Sequence, residues 1–253
     1  MRALDLCCKA GGAGMGLHRA GFDVFGVDIE PQPNYPFHFT QGDALALPNF
    51  YLAAFDLIWV SPHCQRYTAL GTREDLSGYP DQIADFRALL VGSGVPYVIE
   101  NVVGAPLRVD LTLCANAFGL RSYRHRIFEC SFPVAQPNHP PHKVRVNRRG
   151  ENRRQHWANG GHITITGDIG NYVGPEAMGI DWMTGDELSQ AIPPVYSEYI
   201  ARQFLAWREN ATGGPEAATG RGVADVACDA AANGVVVRLD GVEGFSAFEV
   251  PRP

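Results

Sequence analysis

Two side chains in this sequence are suited to covalent catalysis. Cys64 lies in Ser61-Pro62-His63-Cys64-Gln65 and Glu100 in Val98-Ile99-Glu100-Asn101-Val102, each after a short apolar run. A cysteine on a rigid, proline-containing loop can act as a nucleophile if something converts it to thiolate. A carboxylic acid in the same cleft can act as general acid. Singly, neither is distinctive. Most lone cysteines are small buried apolar residues, and a strand-end acid is often an ion pair or helix cap. In Arg121-Ser122-Tyr123-Arg124-His125-Arg126, Arg124 and Arg126 are two residues apart. On a strand both point to one side, where paired guanidinium groups suit a phosphate or a bound base.

A second constellation can hold a cofactor. Asp5-Leu6-Cys7-Cys8-Lys9-Ala10-Gly11-Gly12-Ala13-Gly14 reads as a strand, a glycine-rich turn and a helix. Glycine lets the backbone approach a ligand closely, and a helix N-terminus favours an anionic group. About twenty residues on, Asp28, followed by Ile29, ends the next strand, where an acid can hold ribose hydroxyls. Asp43 and Ala44 follow at a third strand end. Asp43 can accept from an adenine amino group, or simply cap a turn.

These residues need elements to bring them together. Strand-like runs at 2–7, 23–27, 55–60 and 96–99 alternate with helix-like runs at 14–20 and 81–91. That alternation predicts an α/β fold with a parallel sheet covered on both faces. Active residues then sit just past the carboxyl ends of the strands, where Asp28, Cys64 and Glu100 fall. We assign 1–131 to a catalytic core. Residues 132–175 form a short inserted region, with 163–166 strand-like. Residues 176–210 are a helical return, with Thr184 capping a helix over 186–190 and a second helix over 197–207. Residues 211–253 are a Gly/Ala-rich linker and tail, with 235–239 strand-like.

With 253 residues, 45% hydrophobic and 19% charged, the chain fits an ordinary globular protein. It has no apolar run of the ~20 residues a membrane helix needs, and no signal peptide is expected. Its six cysteines include no CxxC pair, so no metal site is expected. The net charge of −6 argues mildly against a nucleic-acid binder, but it hides a basic segment. Lys143, Arg145, Arg148, Arg149, Arg153 and Arg154 lie between His139 and His156, with Glu151 the only acid.

Taken in order, DLCCKAGG, VDIE, GDA, SPHCQ, IENV and RSYRHR resemble the ordered motifs of the DNA cytosine-5 methyltransferases, especially the short versions of bacteriophages and bacteria. The resemblance runs from Leu4 to about Cys130 and resumes near Gly179, where LSQAIPP is similar to the family's last motif. It implies a Rossmann-like, S-adenosylmethionine-dependent fold with a small target-recognition region. It implies Cys64 as nucleophile, Glu100 as acid, Arg126 on the base carbonyl, and Arg124 on the backbone or the nucleophile loop. The implied cofactor site is Asp5, Cys7, Lys9, Ala10, Gly11, Gly12, Asp28, Ile29, Asp43, Ala44, Pro62 and Gln190. The implied DNA contacts are Gln65, Asn101, the six basic residues of the insert, and Trp157 as a stacking ring. The target atom is hidden in a duplex, so the base must be flipped out. The expected partner is double-stranded DNA, for a monomer in the cytoplasm of a bacterial or phage-infected cell.

Several positions depart from the family pattern. Cys7 stands for a usual Phe, Lys9 for Gly, His63 for Pro, Ser122 for Gln, and Ser189-Gln190 for Gly-Asn. Lys9 raises the alternative of a carboxylated donor that would transfer a carboxymethyl group. The other rivals are an RNA cytosine methyltransferase, a non-catalytic DNA-binding relative and a nicotinamide dehydrogenase. The dehydrogenase leaves SPHCQ and IENV without a purpose.

Overall fold

The computed structural model describes residues 1–67, 79–166 and 170–212, together with a strand pair, Val236–Val237 with Phe248–Glu249. In chain order the elements of the main body are β1 (Arg2–Leu6), α1 (Gly12–Arg19), β2 (Asp23–Asp28), β3 (His38–Gln41), α2 (Asn49–Leu52), β4 (Leu57–Val60), α3 (Ile83–Ser93), β5 (Tyr97–Asn101), β6 (Leu111–Leu113), β7 (Arg126–Cys130), α4 (Arg153–Ala158), α5 (Gly170–Met178), α6 (Gly185–Gln190) and α7 (Pro194–Thr212). Seven strands form one sheet in the order β3-β2-β1-β4-β5-β7-β6. The first five pair in parallel, while β7 runs antiparallel to both β5 and β6.

Alternation along the central strands supplies two separate apolar faces. Ala3, Leu57, Trp59 and Val98 face a layer that includes Leu17, Tyr196, Ile200 and Phe204. Leu4, Leu6, Ile58, Val60 and Ile99 face the other way, onto Leu52, Phe86 and Leu90. Burial on both sides explains why these strands read as continuous apolar runs. It also fixes the register, because a slip of one residue would exchange the faces.

The glycine-rich turn after β1 and the start of α1 are held from behind by α7 and the residues just before it. A Cβ on Gly16 would lie 2.0 Å from the Pro194 carbonyl oxygen, and one on Gly12 would lie 2.6 Å from that of Ile192. Ser197 Oγ donates to the Ala13 carbonyl at 2.7 Å. α1 starts two residues earlier than its periodicity suggests, because Gly11 adopts φ 84° and turns the chain directly into the helix.

Both expected C-terminal helices are present, and the second is longer than its periodicity suggests. Thr184 and Glu187 form a reciprocal capping box on α6. Pro193-Pro194 falls at the break between α6 and α7, and Pro194 starts α7, ahead of the expected start at 197, where its missing N–H costs nothing. α7 runs to Thr212, past the expected linker start at 211; residues 213–235 of the expected linker and tail lie outside the described residues. Residues 163–166 are not a strand. Ile163 and Ile165 are buried against Val173, Ala177 and Met178, and Thr164 N–H bonds the Asn147 side chain. Their alternation reflects packing of an irregular segment, next to an isolated bridge between Val146 and His162. Among the described residues no helix is long and apolar enough to cross a membrane.

Candidate active site

The carboxyl ends of β1, β2, β4 and β5 open into one cleft. At one end lie Asp5, Cys7, Lys9, Ala10 and Gly12 from the β1–α1 turn, Asp28 and Ile29 after β2, and Asp43 and Ala44 after β3. At the other lie Pro62, Cys64 and Gln65 after β4, Glu100 on β5 and Arg126 on β7. Gln190 and Ala191 border it from α6. Gly11 is not at the lining; its role is the left-handed turn beneath it.

The turn presents an unpartnered acceptor. Asp5 is fully buried; Tyr35 O–H donates to its Oδ2 at 3.2 Å, while Oδ1 has no partner among the described residues. Burial holds its carboxyl well above the usual carboxylate range. Asp28 is oriented by two backbone donors, Lys9 N–H and Glu30 N–H, each at 3.0 Å. Lys9 occupies φ 44°, a conformation that favours glycine, and Cys7 sits at φ 55°. The Lys9 ammonium lies 2.7 Å from Glu30 and 3.8 Å from Asp28. Asp43 accepts from Leu45 N–H at 2.9 Å, so it caps its turn while lining the cleft. Exposed Ile29 and buried Phe86 add apolar walls.

At the other end, Arg126 Nε lies 2.9 Å from Glu100 Oε1, and both groups are largely buried. Burial raises the Glu100 pKa, against the opposing pull of Arg126, a hydrogen bond with Ser61, and Arg124. Burial and then Glu100 push the Cys64 thiol up, while Arg126 and Arg124 pull it down. The resting site therefore holds a thiol beside a carboxyl group that readily takes a proton.

Arg124 does not share the direction of Arg126. It precedes β7, where the strand alternation does not apply. Its guanidinium donates to the carbonyls of Ile165 at 3.0 Å and Ser189 at 2.7 Å. Burial, with Arg126 next to it, lowers its pKa to about 9. Arg124 thus ties the insert and the α6 end to the sheet. Asn101 also departs from expectation as a DNA contact. It is buried, and its Nδ2 donates to the Pro62 carbonyl at 3.1 Å, bracing the loop that carries Cys64.

Within the insert, the basic residues divide. Lys143, Arg148, Arg149 and Arg154 are exposed. Arg154 stacks on Tyr172, with its guanidinium carbon 3.2 Å from the ring centre. Arg145 makes two short bonds to Glu151, at 2.7 and 2.8 Å, and Arg153 leans on the Thr166 carbonyl at 3.4 Å. Trp157 is not a free stacking ring: Arg121 covers its face at 3.6 Å, and its Nε1 donates to Glu176 at 3.2 Å.

Ser61, Gln82, Phe86 and Ile192 also line the cleft, although none stood out as a functional residue in the sequence. Ser61 had a signal, since it directly precedes the Pro62–Cys64 loop, and it accepts from Trp59 Nε1 at 3.0 Å. Gln82 and Phe86 reach the site only through the packing of α3.

No family model matches this sequence, and no curated protein matches it. Solved structures do match in fold. The S. pombe Dnmt2 methyltransferase superposes with a TM-score of 0.51 at 13% identity, over 81% of this chain and 98% of that one. A protein assigned as a DNA modification methyltransferase, encoded within a prophage of E. coli, superposes with a TM-score of 0.52 at 14% identity, over 82% and 99%. The chain thus shares the Rossmann-like α/β fold of these two methyltransferase structures.

Proposed function

We propose that this protein transfers a methyl group to carbon 5 of cytosine in DNA through a covalent bond from Cys64. The supporting observation is one cleft with two chemistries: Cys64, Glu100 and Arg126 at one end, and a glycine turn with the unpartnered Asp5 oxygen and the oriented Asp28 at the other. S-adenosylmethionine fits the second end. Asp28 would hold the ribose hydroxyls, the turn at 9–12 and Asp5 the amino-acid portion, and Ile29 with Ala44 the adenine. When bound, it supplies an electrophilic methyl group. Lys9 is neutralised by Glu30 and Asp28, which favours this donor over a carboxylated one.

Carbon 5 of cytosine is a poor nucleophile, and covalent addition at carbon 6 remedies this. Cys64 loses its proton and its sulfur bonds to carbon 6. Glu100, whose pKa burial raises, donates at N3, and Arg126 binds the base carbonyl while restraining Glu100. Carbon 5 becomes enamine-like and accepts the methyl group. Loss of the carbon-5 proton and cleavage of the sulfur–carbon bond then restore Cys64. Exposed Lys143, Arg148, Arg149 and Arg154 supply the phosphate grip that holds a duplex while the base is flipped out.

Incubation with S-adenosylmethionine and a duplex containing 5-fluorocytosine tests this reading, because fluorine blocks the final elimination. The expected result is a denaturation-resistant adduct that Cys64→Ala abolishes. An adduct that persists in Cys64→Ala refutes the mechanism, and trapping on the matching RNA alone assigns the substrate to RNA.

A further inference from the structure

Four metal-ligating side chains meet away from the cleft, where the insert crosses the antiparallel edge of the sheet. Cys114 follows β6, His125 precedes β7, and His139 and His142 lie in the first part of the insert. Their ligand atoms all fall within 4.8 Å of one another. Cys114 Sγ is 3.4 Å from His142 Nε2, and His125 Nε2 is 3.1 Å from His139 Nε2. Zinc–nitrogen bonds of about 2.0–2.1 Å and zinc–sulfur bonds of about 2.3 Å place neighbouring ligand atoms of a tetrahedron about 3.3–3.6 Å apart. Two edges of that tetrahedron are thus nearly formed, and no remaining separation needs to close by more than roughly 1.5 Å.

We propose that Cys114, His125, His139 and His142 bind a structural zinc ion that fastens the insert to the catalytic sheet. The proposal does not depend on the cytosine reading. The three imidazole ring centres lie 5.0–5.4 Å apart. Supporting groups orient them, as in known metal sites. The His125 ring also bonds the Tyr123 backbone. Tyr123 stacks on His142 at 3.8 Å, and its hydroxyl is fixed by the Val144 backbone on both sides. Pro140-Pro141 stiffens the link between His139 and His142. The same crossing is fastened nearby by Gln136, which exchanges hydrogen bonds of 3.0 and 2.7 Å with the Thr112 backbone. One thiolate and three neutral imidazoles supply four ligands and no open position, which suits a structural rather than a catalytic ion. His125 directly precedes Arg126, so a bound ion also anchors the strand end that restrains Glu100.

The test loads the full-length protein, first stripped with chelator, with Zn2+ or Co2+ alone. The expected result is about one metal per chain, with the intense visible bands of tetrahedral Co2+ and a sulfur-to-cobalt band. Cys114→Ser and a His139→Ala/His142→Ala double variant should weaken binding by about 100-fold or more, while Cys64→Ser should leave it unchanged. Because lost ligands can also impair folding, His142→Cys provides a second reading: it should retain the metal and strengthen the sulfur-to-cobalt band. No metal uptake, or uptake unchanged in the Cys114 and His139/His142 variants, overturns the proposal. So does a His142→Cys spectrum identical to wild type. The 3.1 Å histidine pair is then an ordinary hydrogen bond.

Discussion

Cys64 is a thiol that its surroundings hold back. Burial and the Glu100 carboxyl raise its pKa, while Arg126, Arg124 and a backbone hydrogen bond oppose them. Because ionisation is what makes sulfur nucleophilic, alkylation of Cys64 by iodoacetamide, taken as the difference from Cys64→Ala, should show a midpoint above that of free cysteine. Arg126→Ala removes a cation and should move it further up; Glu100→Gln removes an acid and should move it down. A wild-type midpoint at or below that of free cysteine refutes this account of the site. Glu100 has the complementary bias, since a raised carboxyl pKa retains its proton to higher pH and suits a group that donates to a base nitrogen. Cys64 and Glu100 were legible from residue type and position after apolar runs. The roles of Asn101 and Arg124 were not, because a carbonyl partner 39 or 41 residues away leaves no local mark.

The elements that deliver these side chains depend on close backbone approach. α1 can lie against the start of α7 only because Gly12 and Gly16 lack side chains. Gly16→Ala should therefore destabilise the protein by about 1–3 kcal/mol in chemical denaturation, as overpacking does, although alanine is the better helix former. A neutral or stabilising result would show that α7 can shift away at no cost. The periodicity argument located most strands of the parallel half and the helices around them, since their apolar faces are buried locally and regularly. It failed at 163–166, where an apolar alternation is satisfied by side-chain packing while the backbone bonds go to Arg121 and Asn147. It also failed at Arg124, which stands two residues before β7 and so outside the strand geometry assumed for it.

For the whole molecule, a net charge of −6 coexists with an exposed basic edge on the insert. If that edge grips phosphates, replacing Lys143, Arg148 and Arg149 with alanine should weaken duplex binding uniformly across sequences. It should also reduce the slope of log affinity against log salt by roughly 2–3. An unchanged slope places the DNA path elsewhere. The sequence by itself determined the order of motifs, the α/β architecture and the candidate nucleophile and acid, because each rests on residue type and short-range periodicity. Only the tertiary structure decided which charges are free. It paired Arg145 with Glu151, covered Trp157 with Arg121 and turned the Lys9 ammonium toward Glu30. It also assembled Cys114, His125, His139 and His142, whose spacing in the chain gives no CxxC pair. Such groupings arise where an insert folds back across a sheet edge, and that crossing brings together residues whose separation along the chain carries no periodic signal.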